Sequence, residues 1–270
     1  MNTDRSAVQA KQSALDLELK RYGPSLVAFS GGVDSSYLLY RALLALGSSN
    51  VVAITFVSPL IPQEDLLRAR AIASDLQARQ IEVEFDPFSV TGLAGNPRNR
   101  CYLCKKALFQ TARLTADQLG LQEILEGSNL DDLETERPGI AALKELKIKS
   151  PLKKAGLHKE EIRFLSRQMS LTSADVPSSP CLATRFPYGE TLNRENLLRV
   201  EKAEHFLRGL GIIGPLRVRS ANLSARIEVE SSAMAAILEN RTAIDSAFKD
   251  LGFASSSLDL SGFKSGSMDK

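Results

Sequence analysis

With 270 residues, 43% of them hydrophobic and 24% charged, the chain is long enough for one large domain, or a large and a small one, around a sizeable core. A net charge of +2 is too balanced to announce a nucleic-acid surface, which needs clustered basic residues, and no stretch has the apolar length of a membrane span. Three cysteines leave no disulfide framework.

The first 23 residues, "MNTDRSAVQAKQSALDLELKRYG", read as a polar amphipathic helix without the apolar centre of a signal peptide, so a cytoplasmic location is expected. "LVAF" (26–29), "VVAITFVS" (51–58) and "IEVEFDPF" (81–88) suit strands, and helical patterns at 36–47 and 63–80 lie between them. Another amphipathic helix covers 105–121, "EILEGSNLDD" (123–132) reads as a strand followed by a loop, and a helix covers 156–171. Strands alternating with helices predict an α/β fold, a parallel sheet wound with helices, over residues 1–175. Prolines 177, 180 and 187 then mark an irregular connection at 176–192. From 193 to 270 the pattern is that of a small C-terminal α+β domain: a charged helix (193–211), strands at 215–220 and 225–230, a helix at 231–252, and a last strand near 253–260. The closing "SGFKSGSMDK" reads as a frayed end.

The string "FSGGVDSS" stands at the joint between the first strand and its helix. Gly31 and Gly32 permit positive φ and close approach of a ligand to the backbone. In that position they aim N–H groups and a helix N-terminus at one point, which is an anion site suited to phosphate. Ser30, Ser35 and Ser36 could donate to phosphate oxygens, and Asp34 could hold Mg²⁺. The same residues would also make a plain strand-to-helix turn capped by Asp34 or a serine. The lysine of the Walker loop is absent, and the G-x-G-x-x-G spacing of dinucleotide folds is absent too.

Five further segments follow in order: "NRCYLCKKALF" (99–109), "EGSNLDDLETERPG" (126–139), "KSPLKKAGLHKEEIRFLS" (149–166), "PCLATRFPYGETL" (180–192) and "RVRSANLSARIEVE" (217–230). The glycine loop resembles the PP-loop of the ATP pyrophosphatases, whose fold is adenine nucleotide alpha hydrolase-like. The combination of segments resembles the LarE family of ATP-dependent sulfur transferases within that superfamily, across roughly residues 10 to 230. The resemblance implies that ATP adenylates the carboxylates of pyridinium-3,5-biscarboxylic acid mononucleotide. A sulfur nucleophile then displaces AMP to give thiocarboxylates, on the way to the nickel-pincer nucleotide cofactor of lactate racemase. It also implies a homo-oligomer with a small-molecule nucleotide substrate and no membrane or nucleic-acid partner.

On the resemblance, Ser30, Gly31, Gly32, Asp34, Ser35 and Ser36 would cradle the pyrophosphate of ATP and its magnesium, with Glu126, Gly127, Ser128, Asn129 and Asp132 lining the nucleotide site. Arg137 would clamp phosphate. Family members take sulfur either from one sacrificed cysteine, left as dehydroalanine, or from a [4Fe-4S] cluster on three cysteines whose open iron binds external sulfide. Cys101, Cys104 and Cys181 match the second inventory, although sacrificial use of Cys181, or zinc on the three thiols, stays open. Arg98, Arg100, Lys105 and Lys106 would favour thiolates at the C-x-x-C.

Arg100, Arg185, Arg217, Arg219 and Arg226 are candidate substrate-binding cations, since guanidinium suits phosphate and carboxylate bidentately. Alternation puts Arg217 and Arg219 on one strand face, where salt bridges to Glu228 and Glu230 are the plainer reading. The turn 220–224, Ser-Ala-Asn-Leu-Ser, departs from the histidine-glycine-aspartate turn of the family pattern, so no role of that aspartate carries over. A tRNA-thiolating PP-loop enzyme is the nearest rival, and it would need a basic RNA surface.

Overall fold

The computed structural model describes residues 5–133, 138–177 and 179–264. In chain order its regular elements are α1 (Arg5–Leu19), β1 (Ser25–Ala28), α2 (Val33–Leu46), β2 (Val51–Val57), α3 (Gln63–Asp75), β3 (Arg79–Glu84), α4 (Arg100–Gln118), β4 (Glu123–Leu125), α5 (Pro138–Glu145), α6 (Pro151–Lys154) and α7 (Lys159–Gln168). They continue with α8 (Arg194–Gly209), β5 (Leu216–Ala221), β6 (Ser224–Val229), α9 (Met234–Glu239), α10 (Arg241–Asp250) and β7 (Ser255–Leu258). These elements divide between two compact units: residues 1–58, 63–85 and 99–179 in the first, and residues 59–62, 86–98 and 180–270 in the second.

In the first unit β1 to β4 pair in parallel in the order β3-β2-β1-β4. Helices cover both faces, which is why the central strands read as unbroken apolar runs. Successive residues of β1 and β2 serve opposite cores. Val27 and Ala53 pack with Leu15, Leu38, Ile162 and Leu165 on one side. Leu26, Val52 and Ile54 pack with Phe109, Ala112, Ala116 and Leu143 on the other. The α/β fold of a parallel sheet wound with helices is thus the one expected.

The second unit holds a smaller sheet, β5-β6-β7, with β5 antiparallel to β6 and β6 parallel to β7. Asn222 and Leu223 close the β5–β6 hairpin with φ of 48° and 62°, the two left-handed residues of a tight primed turn. Segment 180–192 is bound to the earlier stretch 86–98 within this unit. Leu192 N–H donates to the Ala94 carbonyl at 2.7 Å and Gly189 N–H to Asn96 at 3.0 Å. The buried Asn96 amide donates to the carbonyls of Phe186 and Pro187 at 3.2 and 2.7 Å. Such pairings explain why residues 86–98, distant in sequence, share a unit with the C-terminal third.

Several boundaries differ from the sequence reading. The helix expected from residue 105 starts at Arg100, because the Asn99 carbonyl accepts from Tyr102 and Leu103 and opens the first turn there. The C-x-x-C therefore lies inside α4. The strand expected at 81–88 spans Arg79–Glu84, with Asp86 capping a short turn ahead of Pro87. The helix expected at 231–252 breaks at Asn240, whose side-chain amide donates to the Ala236 carbonyl at 2.8 Å, and whose φ of −91° and ψ of 9° depart from the helix. α5 and α6 were not anticipated, being too short for a periodic signal.

Candidate functional site

In the order β3-β2-β1-β4 the connections run to opposite sides at β1, so a crevice opens beyond the carboxyl ends of β1 and β4. The glycine loop follows β1 and the loop 126–132 follows β4, which brings both sequence motifs to this crevice. Gly31 has a φ of +70°, and a Cβ there would lie 2.8 Å from the Ala69 Cα, so both conformation and space exclude a side chain. Gly32 behaves differently from the expectation of positive φ. It is extended at φ −77°, caps α2 without a side chain, and so leaves the first N–H groups of that helix clear of a capping hydroxyl.

The Ser30 and Ser35 hydroxyls lie 3.1 Å apart, and Ser35 Oγ donates to the Gly32 carbonyl at 3.1 Å, so the two serines stiffen the loop. Ser36 is fully buried, with no hydrogen-bond partner at Oγ among the described residues. A Cβ on Gly127 would stand 3.1 Å from Ser35 N, which shows how closely the second loop approaches the first. Asn129 Nδ2 donates to Asp34 Oδ1 at 3.3 Å, and Asn129 N–H donates to Asp132 Oδ2 at 3.1 Å. Glu126 is buried and accepts from Ser128 N–H and Oγ at 3.1 and 2.7 Å and from the Ser150 hydroxyl, so it anchors the loop from inside. The structure therefore brings together Ser30, Gly31, Gly32, Asp34, Ser35, Gly127, Asn129 and Asp132. Arg137 lies outside the described residues.

Two cations at this crevice were missed by the sequence reading. Arg68 on α3 donates from Nε to the Gly31 carbonyl at 3.3 Å and pairs with Asp65. Lys159, the first residue of α7, pairs with Asp34. Its root is tied down: Lys159 N–H donates to Asp131 at 2.8 Å, and His158 N–H donates to Glu161 at 2.9 Å. The Asp131 carboxyl lies below its ordinary range because the His158 ring and the Lys159 N–H bond its ionised form. The available signal was the string "GLHKEE", in which a lysine opens a helix and a glutamate follows two residues later.

None of the three cysteines is in a disulfide; Cys101 is exposed, and Cys104 and Cys181 are partly so. Cys101 and Cys104 sit one turn apart at the start of α4 in the first unit. Cys181 caps the turn Leu182–Arg185 in the second unit. As a donor set, three soft thiols suit an iron–sulfur cluster. Among the described residues no three His, Cys, Asp or Glu side chains are grouped as a metal site. Arg100, the first residue of α4, is buried.

The remaining arginines gather within the second unit. Arg185 is buried in a bidentate pair with Glu204, at 2.8 and 2.9 Å, and Glu204 also accepts from Val218 N–H at 2.9 Å. Across the β5–β6 ladder Arg217 faces Glu228 and Arg219 faces Arg226, so all four side chains share one sheet face. Glu228 pairs with Arg217 at 3.4 Å, with Arg219 at 2.5 Å and with Arg226 at 3.2 Å. Burial, followed by repulsion from Arg219 and Arg185, pulls the Arg217 guanidinium below its ordinary pKa. A cavity of about 410 Å³ opens beside this cluster, lined by Arg185, Arg219 and Arg226 with the hydroxyl residues Ser220, Ser224 and Ser257. Arg185, Arg219 and Arg226 are thus ion-paired and also line an open cavity.

Residues 8–110 match the NAD synthase family. An uncharacterized protein of Synechocystis sp. (strain ATCC 27184 / PCC 6803 / Kazusa), slr1717, is 39% identical over 91% of this chain and 92% of its own length. The pyridinium-3,5-bisthiocarboxylic acid mononucleotide synthase of Lactiplantibacillus plantarum is 33% identical over 98% of this chain and 95% of its own. An uncharacterized protein of Methanocaldococcus jannaschii, MJ0830, is 28% identical over 89% and 90%. With the glycine loop at the switch point of its sheet and likeness to that synthase along nearly its whole length, the chain belongs to the LarE family of PP-loop, ATP-dependent sulfur transferases.

Proposed function

We propose that the protein converts the carboxylates of pyridinium-3,5-biscarboxylic acid mononucleotide to thiocarboxylates at the expense of ATP. The observation that carries this reading is the crevice at β1 and β4, with a side-chain-free helix N-terminus and Asp34 facing Asn129, in a chain so like the synthase. A substrate carboxylate oxygen attacks the α-phosphorus of ATP, the bond from that phosphorus to the bridging oxygen breaks, and pyrophosphate leaves. The backbone N–H groups at the start of α2 are the preorganised donors for the charge that develops on it. Asp34 would hold Mg²⁺ there. A sulfur nucleophile then attacks the acyl carbon, and AMP departs with its oxygen.

The cavity beside Arg185, Arg219 and Arg226 suits the anionic groups of the substrate nucleotide. Arg226 is the most exposed of these guanidiniums and the best placed to exchange partners. For the sulfur, Cys101, Cys104 and Cys181 would be ligands of a [4Fe-4S] cluster, which when bound supplies an iron open to sulfide. Direct donation from Cys181 is the competing route.

The test is pyrophosphate release by the purified protein with ATP and the biscarboxylate nucleotide, with the product identified by mass. Release that depends on this nucleotide and yields a thiocarboxylate is expected. Release driven by tRNA instead would overturn the proposal. Iron and acid-labile sulfide after anaerobic reconstitution, lost in Cys101→Ala, would assign the sulfur to a cluster. A dehydroalanine at position 181 after turnover would assign it to Cys181.

A further inference from the structure

Asp34 is the one carboxylate within residues 30–36, and the protein neutralises it with a lysine from a different element. The ammonium of Lys159 takes Oδ2, while Oδ1 receives the 3.3 Å contact from Asn129. The pair is accessible: the Lys159 side chain is 30% exposed and that of Asp34 20%. The other cation at the loop is committed elsewhere, since Arg68 is held by Asp65 and the Gly31 carbonyl. Lys159 combines a fixed root with a movable head. Asp131 accepts from its N–H and contacts the His158 ring, and Glu161, itself bonded to Lys11 at 2.8 Å, holds the His158 N–H. The four-carbon stem beyond that root is free to swing, and its ammonium is a point charge that binds carboxylate and phosphate oxygens alike.

Magnesium needs oxygen ligands at about 2.1 Å in an octahedral shell. It competes with an ammonium for the same carboxylate. Resting on the ATP-site reading above, we propose that Lys159 is a placeholder for the metal. In the nucleotide-free protein it occupies Asp34; when the metal–nucleotide arrives it yields the carboxylate, and its ammonium moves onto the phosphate oxygens that become pyrophosphate. The exchange conserves charge at each point: the carboxylate is never left bare, and the departing pyrophosphate gains a cation.

The experiment uses the full chain and two probes apart from turnover: Mn²⁺ alone, followed by the spectrum of the free ion, and pyrophosphate alone, followed by calorimetry. Lys159→Met should bind Mn²⁺ roughly tenfold more tightly than the parent protein and pyrophosphate roughly tenfold more weakly, as for loss of one charge-assisted contact. The double variant with Asp34→Asn should lose the Mn²⁺ gain. Unchanged Mn²⁺ affinity in Lys159→Met, a gain that survives Asp34→Asn, or undiminished pyrophosphate binding would each overturn the placeholder. If Lys159→Met does not fold by thermal melt, Lys159→Gln carries the same expectations. Binding of Mg·ATP to the parent protein separates the two failures. If ATP binds and Mn²⁺ affinity is flat, the placeholder alone fails; if ATP does not bind, the ATP-site reading falls with it.

Discussion

The two units each gather charged residues around an opening, and they do so in opposite ways. At the glycine loop most polar capacity is left open: a helix N-terminus without a capping side chain, and a carboxylate whose partner is a flexible lysine. In the arginine cluster nearly everything is already paired: Arg185 by Glu204, and Arg217 and Arg219 by Glu228, all of them largely buried. The first arrangement is ready for a ligand at little structural cost. The second depends on its own ion pairs for integrity, and its outer guanidinium, Arg226, shared between Glu228 and Asp259 and half exposed, is the one that exchanges partners at least cost. An arginine near a cavity is therefore weak grounds for binding until its existing partners are counted.

The contrast is broken most severely at Glu204. Its replacement by Ala leaves Arg185 buried without its carboxylate and frees Val218 N–H, and should lower stability by about 3–5 kcal/mol in a denaturant titration. The companion double variant Glu204→Leu with Arg185→Met should recover much of that loss, because two apolar groups replace a complete pair. Gly31→Ala should come next. A positive φ and a contact 2.8 Å from the Ala69 backbone predict a loss of about 2 kcal/mol or more, with ATP binding lost in calorimetry.

Arg226→Ala sharpens the comparison from the other side. Its stability should change by no more than about 0.5 kcal/mol, since the side chain is half exposed. Substrate affinity should fall roughly tenfold, as for one charged hydrogen bond. Leu223→Gly should raise the melting temperature, because leucine at a φ of 62° costs about 1 kcal/mol that glycine does not.

The smallest effect concerns acid. Asp131 has a folded pKa below its unfolded value, so its contribution is present above the unfolded pKa and is lost as pH falls through the folded one. The tie to the start of α7 should therefore weaken only below about pH 4. Asp131→Asn should remove that acid dependence from the melting curve.

Much of the first unit was legible in the sequence because strands buried on both faces read as apolar runs, and the glycine loop has to use glycine at position 31. The loop residues Gly127, Asn129 and Asp132 were legible only through the family resemblance, since composition alone left a plain strand-to-helix turn as an equal reading. Lys159 and Arg68 were not, since a lone cation on an amphipathic helix looks like solvated surface until the sheet places its helix against the loop. The bidentate partner of Arg185 was not legible either, because nothing in its vicinity in sequence announces Glu204, nineteen residues on.

The segment 86–98 belongs with the C-terminal third of the chain and not with its own neighbours. A ribosome therefore delivers these residues long before their partners exist. Until residues 180–192 emerge, the Asn96 amide has neither the Phe186 nor the Pro187 carbonyl to bond. A fragment ending at residue 176 would carry this stretch as an exposed, half-satisfied strap, and one starting at 193 would lack it altogether. Neither unit can be excised by a single cut, and the second can finish folding only after synthesis has passed both halves of its own seam.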